Sequence, residues 1–134
     1  MPGSFLDANV LIYLASEDQA KADRAEEVLA AGGTISVQVL NEIANVARRK
    51  MRMSWPEIED FLTPVRALLT VAPVDIATHE AGLALAQRYG FSLYDAMIVA
   101  SATLNDCDML WSEDMQHGLI VEGRLRIVDP FRKA

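Results

Sequence analysis

The sequence predicts an α/β fold, a three-layer α/β/α arrangement in which a mostly parallel central sheet of about five strands is flanked by helices. Two observations predict it. Short apolar runs alternate along the chain with stretches of helical periodicity. Successive apolar runs are separated by one helix or a helix pair, the spacing that parallel strands require for their crossovers. At 134 residues a single domain over 1–134 is expected, large enough to bury a core without disulfides.

Ser4-Phe5-Leu6 reads as a first strand ending at Asp7. Ala8 to Ala15 is expected to form a helix that turns Val10, Leu11 and Leu14 inward. Asp18 suits the N-cap of a second helix, which ends near Ala31 before Gly32-Gly33. Thr34-Ile35-Ser36 predicts a strand, and Leu40, Ile43, Ala44 and Ala47 predict a helix over Val37 to Lys50. Ser54-Trp55-Pro56-Glu57 has capping-box spacing with an early proline, and opens a helix running to about Leu69. Val71-Ala72 is a short strand candidate. Asp75 can cap a helix through Arg88 that Gly90 closes. Ser92-Leu93-Tyr94-Asp95 opens the next helix, whose body from Ala96 to Ala102 is apolar nearly all round and so is expected to be buried on most sides. Asp108 to Trp111 reads as a buried strand ending at Ser112-Glu113-Asp114, and Leu125 to Val128 as the last strand. In such sheets, sites form beyond the C-terminal ends of strands. Asp7 and Asp114 both fall there.

Composition narrows the classes. With 51% hydrophobic and 23% charged residues the chain reads as an ordinary folded protein. The one cysteine, Cys107, cannot form an internal disulfide, which fits a reducing compartment. No basic-then-apolar leader opens the sequence and no apolar run approaches a membrane span, so a cytoplasmic location without membrane insertion is expected. The formal net charge of -7 by itself argues against nucleic-acid binding. Cations held by clustered acids would offset it, and the basic residues are grouped. Arg48, Arg49, Lys50 and Arg52 form one group, and Arg124, Arg126, Arg132 and Lys133 another. Either is a candidate phosphate footprint; the alternative is a solvated helix end and a loose tail.

The chemistry-bearing residues are acids. Taken singly, each has a bland explanation: Asp7 and Asp114 as helix caps, Asp95 as the acid three positions after Ser92, Glu42 as a solvated helix acid. Glu42, however, is flanked at i±3 and i±4 by Gln38, Val39, Asn45 and Val46, a mixed face rather than a row of charges. Ile98 and Val99 follow Asp95, and no lysine or arginine lies within a helical turn of it. A partly buried carboxylate needs a compensating charge or donors, supplied by a cation or by an arginine from elsewhere. Two like charges about 4 Å apart repel by roughly 4 kcal/mol at an effective dielectric of 20. A fold that gathers four carboxylates therefore calls for protons or metal ions. Oxygen ligands without a cysteine or histidine cluster select Mg²⁺ or Mn²⁺, ions suited to phosphodiester hydrolysis. Asn9 and Ser112 are candidate donors that orient the acids.

Several stretches together resemble the PIN-domain ribonucleases, specifically the toxins of VapBC-type toxin–antitoxin pairs. They are Phe5-Leu6-Asp7-Ala8-Asn9-Val10-Leu11-Ile12-Tyr13, Val39-Leu40-Asn41-Glu42, the run from Leu93 to Ala102 that contains Asp95, and the run from Leu110 to Gly118 that contains Ser112-Glu113-Asp114. Asp129-Pro130-Phe131 stands where relatives carry Asn-Pro-Phe. The resemblance spans essentially the whole chain and implies a PIN-like fold. It implies that Asp7, Glu42, Asp95 and Asp114 are the catalytic, metal-binding acids, with Asn9 and Ser112 in polar supporting positions. Of adjacent Glu113 and Asp114 only one faces a given side of a strand; the family pattern favours Asp114, with Glu113 assisting a metal through water. The implied activity is an endoribonuclease that cleaves RNA by metal-activated water, using one or two Mg²⁺ or Mn²⁺ ions. The implied partners are transfer or ribosomal RNA as substrate, a small cognate antitoxin whose arginine plugs the acidic groove, and a second copy in a homodimer.

Arg48, Arg49 and Arg52 lie one to three turns beyond Glu42, within geometric reach of an RNA strand. His117 is expected to be structural or at the surface, and His79 receives no role. Trp55 and Trp111 are expected to pack, and Met97, Met109 and Met115 to fill core gaps. Two rival readings stand beside the nuclease: a PIN-like binding module with little catalysis, and another acid-cluster nuclease outside a toxin–antitoxin pair. An Asp-nucleophile phosphatase is disfavoured because Asn9 replaces the second acid of Asp-x-Asp. A receiver domain is disfavoured by the absence of paired N-terminal acids and a late lysine after a strand.

Overall fold

A computed structural model of the chain describes residues 3–132; Lys133 of the C-terminal basic group lies outside them. The strands are β1 (Gly3–Leu6), β2 (Thr34–Ser36), β3 (Thr70–Ala72), β4 (Cys107–Trp111), β5 (Ile120–Val121) and β6 (Leu125–Val128). The helices are α1 (Ala8–Leu11), α2 (Gln19–Ala30), α3 (Val37–Arg49), α4 (Trp55–Leu68), α5 (Ile76–Tyr89) and α6 (Leu93–Leu104). They build one mixed sheet in the order β3-β2-β1-β4-β6-β5. All pairings are parallel except β5 with β6.

This order explains the place of the site. From β1 the chain runs outward through β2 and β3 on one side, and β4 and β6 occupy the other. The connections out of β1 and β4 thus diverge, leaving a crevice beyond their C-terminal ends. The register pairs Leu6 with Trp111, and the Asp7 N–H donates to the Trp111 carbonyl at 2.9 Å. The residues that follow, Asp7 and Ser112, therefore emerge side by side.

Local chemistry sets the helix ends. Asp18 accepts from Lys21 N–H, Ser54 and Glu57 form the capping box, and Asp75 is paired reciprocally with Thr78. Gly90 closes α5 in the left-handed conformation, which costs a residue without Cβ nothing. The core joins both faces of the sheet: Phe5, Leu6, Leu11, Ile35, Ile43, Ile98, Leu110 and Ile127 are at most 1% exposed. Each such side chain contributes about 1.5–3 kcal/mol relative to exposure. Helix α6 is buried from Ala96 through Ala102 except at Met97. A Cβ at Gly82 of α5 would stand 2.5 Å from the Met97 sulfur, so glycine there lets α5 and α6 approach closely. Among the described residues no helix is long and apolar enough to cross a membrane.

The mostly parallel sheet, expected at about five strands, has six, because Ile120–Val121 pairs with β6 through a hairpin whose central residues, Glu122 and Gly123, both take positive φ. Two expectations are corrected. The predicted helix over Ala8 to Ala15 is α-helical only to Leu11; Ile12–Ala15 tightens into a 3-10 turn. Trp55 does not pack inside: it is 60% exposed, with the Arg48 guanidinium 4.7 Å from its ring centroid.

Candidate functional site

Four segments converge at the crevice. Asp7 leaves β1 and caps α1, its Oδ1 accepting from the Ala8 N–H at 2.7 Å. Glu42 reaches in from the second turn of α3. Asp95 sits in the first turn of α6, where its own N–H donates to the Ser92 hydroxyl. Asp114 lies in the loop after β4. All four line one cavity of about 270 Å³ together with Ala8, Asn9, Ile12, Asn45 and Val46. Among the described residues no lysine or arginine lines it.

The polar framework is built around Asn9. Its Oδ1 accepts from the Glu113 N–H at 3.1 Å, which fixes the orientation of the amide. Its Nδ2 then faces Asp114 Oδ2 and Ser112 Oγ, both at 3.2 Å, and Asp7 Oδ2 at 3.4 Å. Ser112 is fully buried and donates its hydroxyl proton to Asp7 Oδ2 at 3.0 Å. Asn9 and Ser112 thus tie the loop after β4 to the end of β1.

Electrostatics record the crowding. Asp7 is only 5% exposed, and burial, joined by the charges of Glu42 and Asp95, pushes its carboxyl up to about 7 against the lowering effect of Ser112 and Ala8. Glu42 is raised by burial and by Asp95, with Gln38 opposing. Asp95 is raised by burial and by Asp114, with Ser92 opposing. Burial and mutual repulsion are the two forces a cation would relieve. Among the described residues no three acid, histidine or cysteine side chains close on one another as a ready-made metal cluster. The acids share a cavity without converging on a point.

A family model described as the PIN domain matches residues 4–118. The chain belongs to the PIN-domain family. Two solved structures share its fold. A chain of a toxin–antitoxin complex from Klebsiella pneumoniae has a TM-score of 0.73 at 22% identity, covering 97% of this chain and 99% of that one. VapC20 of Mycobacterium tuberculosis, a sarcin–ricin loop cleaving toxin, has a TM-score of 0.67 at 18% identity, covering 83% of this chain and 89% of that one. No curated protein matches the sequence significantly.

Other candidate residues of the PIN domain lie outside this cavity. Glu113 does not line the acid cavity; Tyr13 donates its hydroxyl proton to Oε1 and Lys21 Nζ stands 3.0 Å from Oε2. Arg48 donates to the Met53 carbonyl at 3.0 Å besides stacking on Trp55. Arg49 and Lys50 line a recess shared with Asn45 and Val46, which also border the acid cavity; Arg52 is exposed in the following turn. His117 accepts the Asp129 N–H on Nδ1 at 3.0 Å, and so pins the C-terminal segment. Arg132 lines a recess there with Arg24, Trp111 and His117.

Gln38 and Asn45 carry no assigned role in the sequence reading. Gln38 Nε2 donates to Glu42 Oε1 at 3.1 Å and stands 3.2 Å from the Tyr94 carbonyl, bridging α3 to the start of α6. Its i, i+4 spacing to Glu42 was the available signal.

Proposed function

We propose that this PIN domain, spanning 1–134, is a metal-dependent endoribonuclease that acts as the toxin of a toxin–antitoxin pair. The observation that carries the reading is one cavity lined by Asp7, Glu42, Asp95 and Asp114 and, among the described residues, by no cationic side chain. Four carboxylates, three of them pushed upward by burial and by their neighbours' charge and one of these, Asp7, to about 7, fit one or two hard divalent cations such as Mg²⁺ or Mn²⁺.

Bound there, such a cation supplies Lewis acidity toward a phosphoryl oxygen and lowers the pKa of water near it. The chain's own residues do the rest. Asp7, Glu42, Asp95 and Asp114 bind the cation. Ser112 and Asn9 hold the Asp7 carboxylate in one orientation, and the Ser112 hydroxyl opposes the burial that favours its protonated form. Arg49 and Lys50, next to Asn45 and Val46, take RNA phosphates and lead the strand across the cavity mouth.

The partners follow from the same chemistry. An acidic cavity of this size accepts a guanidinium, which suits a small antitoxin protein that silences the enzyme with an arginine. Both structural neighbours come from toxin systems, one a complex with an antitoxin and one cleaving the sarcin–ricin loop; this supports structured RNA, ribosomal or transfer, as the substrate. Val37, Leu68, Ile76, Leu93 and Tyr94 are exposed apolar residues near the β3 edge and the start of α6, a surface suited to a second copy in a homodimer. The reading places the protein in the cytoplasm, with its RNA.

Purified protein free of partner is expected to cut RNA with Mg²⁺ or Mn²⁺ and to stop on chelation. Asp7→Asn and Asp95→Asn should each remove at least 100-fold of that activity. Cleavage that persists in both variants would overturn the assignment. Absence of cleavage together with absence of divalent binding would favour a binding module.

A further inference from the structure

The side chain of Glu113 is the acid that the cavity does not use, and its surroundings show why. It stands beside Asp114 in the loop after β4 and shares a recess with it, yet Lys21 of α2 and Tyr13 of the 3-10 turn hold its carboxylate outside the acid cavity. Lys21 Nζ lies 3.0 Å from Glu113 Oε2 and 3.2 Å from the Tyr13 hydroxyl. The same ammonium sits 4.4 Å from the Tyr13 ring centroid and 5.4 Å from that of Phe131; the two rings meet edge to face at 4.6 Å. The Lys21 and Glu113 side chains are 35% and 24% exposed, so the pair is sheltered without being desolvated.

The backbone of Glu113 faces the other way. Its N–H is the donor that Asn9 Oδ1 accepts, and that bond sends Asn9 Nδ2 toward Asp7, Ser112 and Asp114. One residue is therefore gripped twice: its side chain by α2, its peptide by Asn9.

We propose that Lys21, acting through Glu113, is a positioning residue that sets the Asn9 amide and the Asp114 carboxylate for cation binding. The inference rests on the acid cavity being a cation site. Lys21 touches neither the cavity nor a reacting atom. It neutralises Glu113, so that a fifth carboxylate does not swing among the four, and it holds the loop where Asn9 can latch it. Residues that orient metal ligands from behind commonly change metal affinity by about 10–100-fold.

The test measures two things on the whole chain: the side-chain amide signals of Asn9 by ¹⁵N NMR without added metal, and Mn²⁺ affinity by calorimetry. Lys21→Met keeps the stem and removes the charge. Glu113→Gln probes the same link from its other end and serves if Lys21→Met does not fold. Each is expected to shift and broaden the Asn9 amide pair and to weaken Mn²⁺ binding about tenfold. The double variant should be no worse than the weaker single one, since both cut one link. Unmoved Asn9 signals in the folded variants would overturn the proposal, as would additive losses in the double variant. Failure of the cation reading is distinguishable: the unsubstituted protein would then bind no Mn²⁺, while the metal-free Asn9 signals would still report on Lys21.

Discussion

Ser112 Oγ donates a 3.0 Å hydrogen bond to Asp7 Oδ2 and thereby joins the C-terminal ends of two neighbouring parallel strands through one proton. The bond favours the charged carboxylate, against the burial that disfavours it. Ser112→Ala should therefore raise the Asp7 pKa further. It should also move the acid limb of kcat/KM against pH to higher pH, because a larger share of Asp7 stays protonated near neutrality. A carboxyl ¹³C titration of Asp7 without metal checks the first effect directly.

Asp7 also couples stability to pH. Its pKa rises from the usual 3.8 to about 7 on folding, so ionisation opposes the folded state. The sign follows: this group's contribution is best below pH 4, is lost as pH rises toward 7, and is flat above that. In EDTA, Asp7→Asn should melt several degrees above the unsubstituted protein at pH 8, with the gap closing by pH 4. Mn²⁺ should raise the Tm of the unsubstituted protein and leave that of Asp7→Asn nearly unchanged. Thermal scans across that pH range decide it.

Gln38 braces Glu42 and reaches the Tyr94 carbonyl. Gln38→Ala should cost about 0.5–1.5 kcal/mol in stability. It should also raise the Mn²⁺ concentration needed for half-maximal cleavage, with little change in the maximal rate. Urea unfolding and a metal titration separate the two effects.

The basic residues after Glu42 divide by their partners. Lys50 lines recesses next to the acids, whereas Arg48 is committed to Trp55 and the Met53 carbonyl. Lys50→Glu should weaken RNA binding and reduce the slope of log K against log salt by at least about 0.7, the share of one phosphate contact on a single strand. Arg48→Glu should chiefly lower stability. Binding to an Asp95→Asn background at several salt concentrations tests this.

Much of this architecture was legible because it is local. Asp18, Ser54 with Glu57, Asp75 and Gly90 mark helix ends through bonds spanning three or four residues, and the apolar length of α6 announced its burial. What escaped depended on distant partners. β5 has two residues and exists only because β6 pairs with it across a turn that puts Glu122 at positive φ, a conformation its side chain does not advertise. The 3-10 turn at Ile12–Ala15 carries Tyr13 to Glu113, a contact across 100 positions. Strand alternation could not divide Glu113 from Asp114, because β4 ends at Trp111 and both lie in the loop after it. Of the two, Asp114 lines the acid cavity, while Glu113 is paired with Lys21, 92 positions away. The placement of Asp7, Glu42, Asp95 and Asp114 on one cavity could be anticipated from two strand ends, a mixed helix face and a helix start; that Gln38 braces Glu42 against α6 required the fold.

The central claim is that these four carboxylates hold a catalytic divalent cation. Its most direct measurement is calorimetric titration of the metal-free protein with Mn²⁺ at neutral pH, beside Asp95→Asn. The account predicts saturable binding of one or two ions by the unsubstituted chain and at least tenfold weaker binding by the variant. Equal binding by the two proteins, or none by the unsubstituted chain, would contradict it.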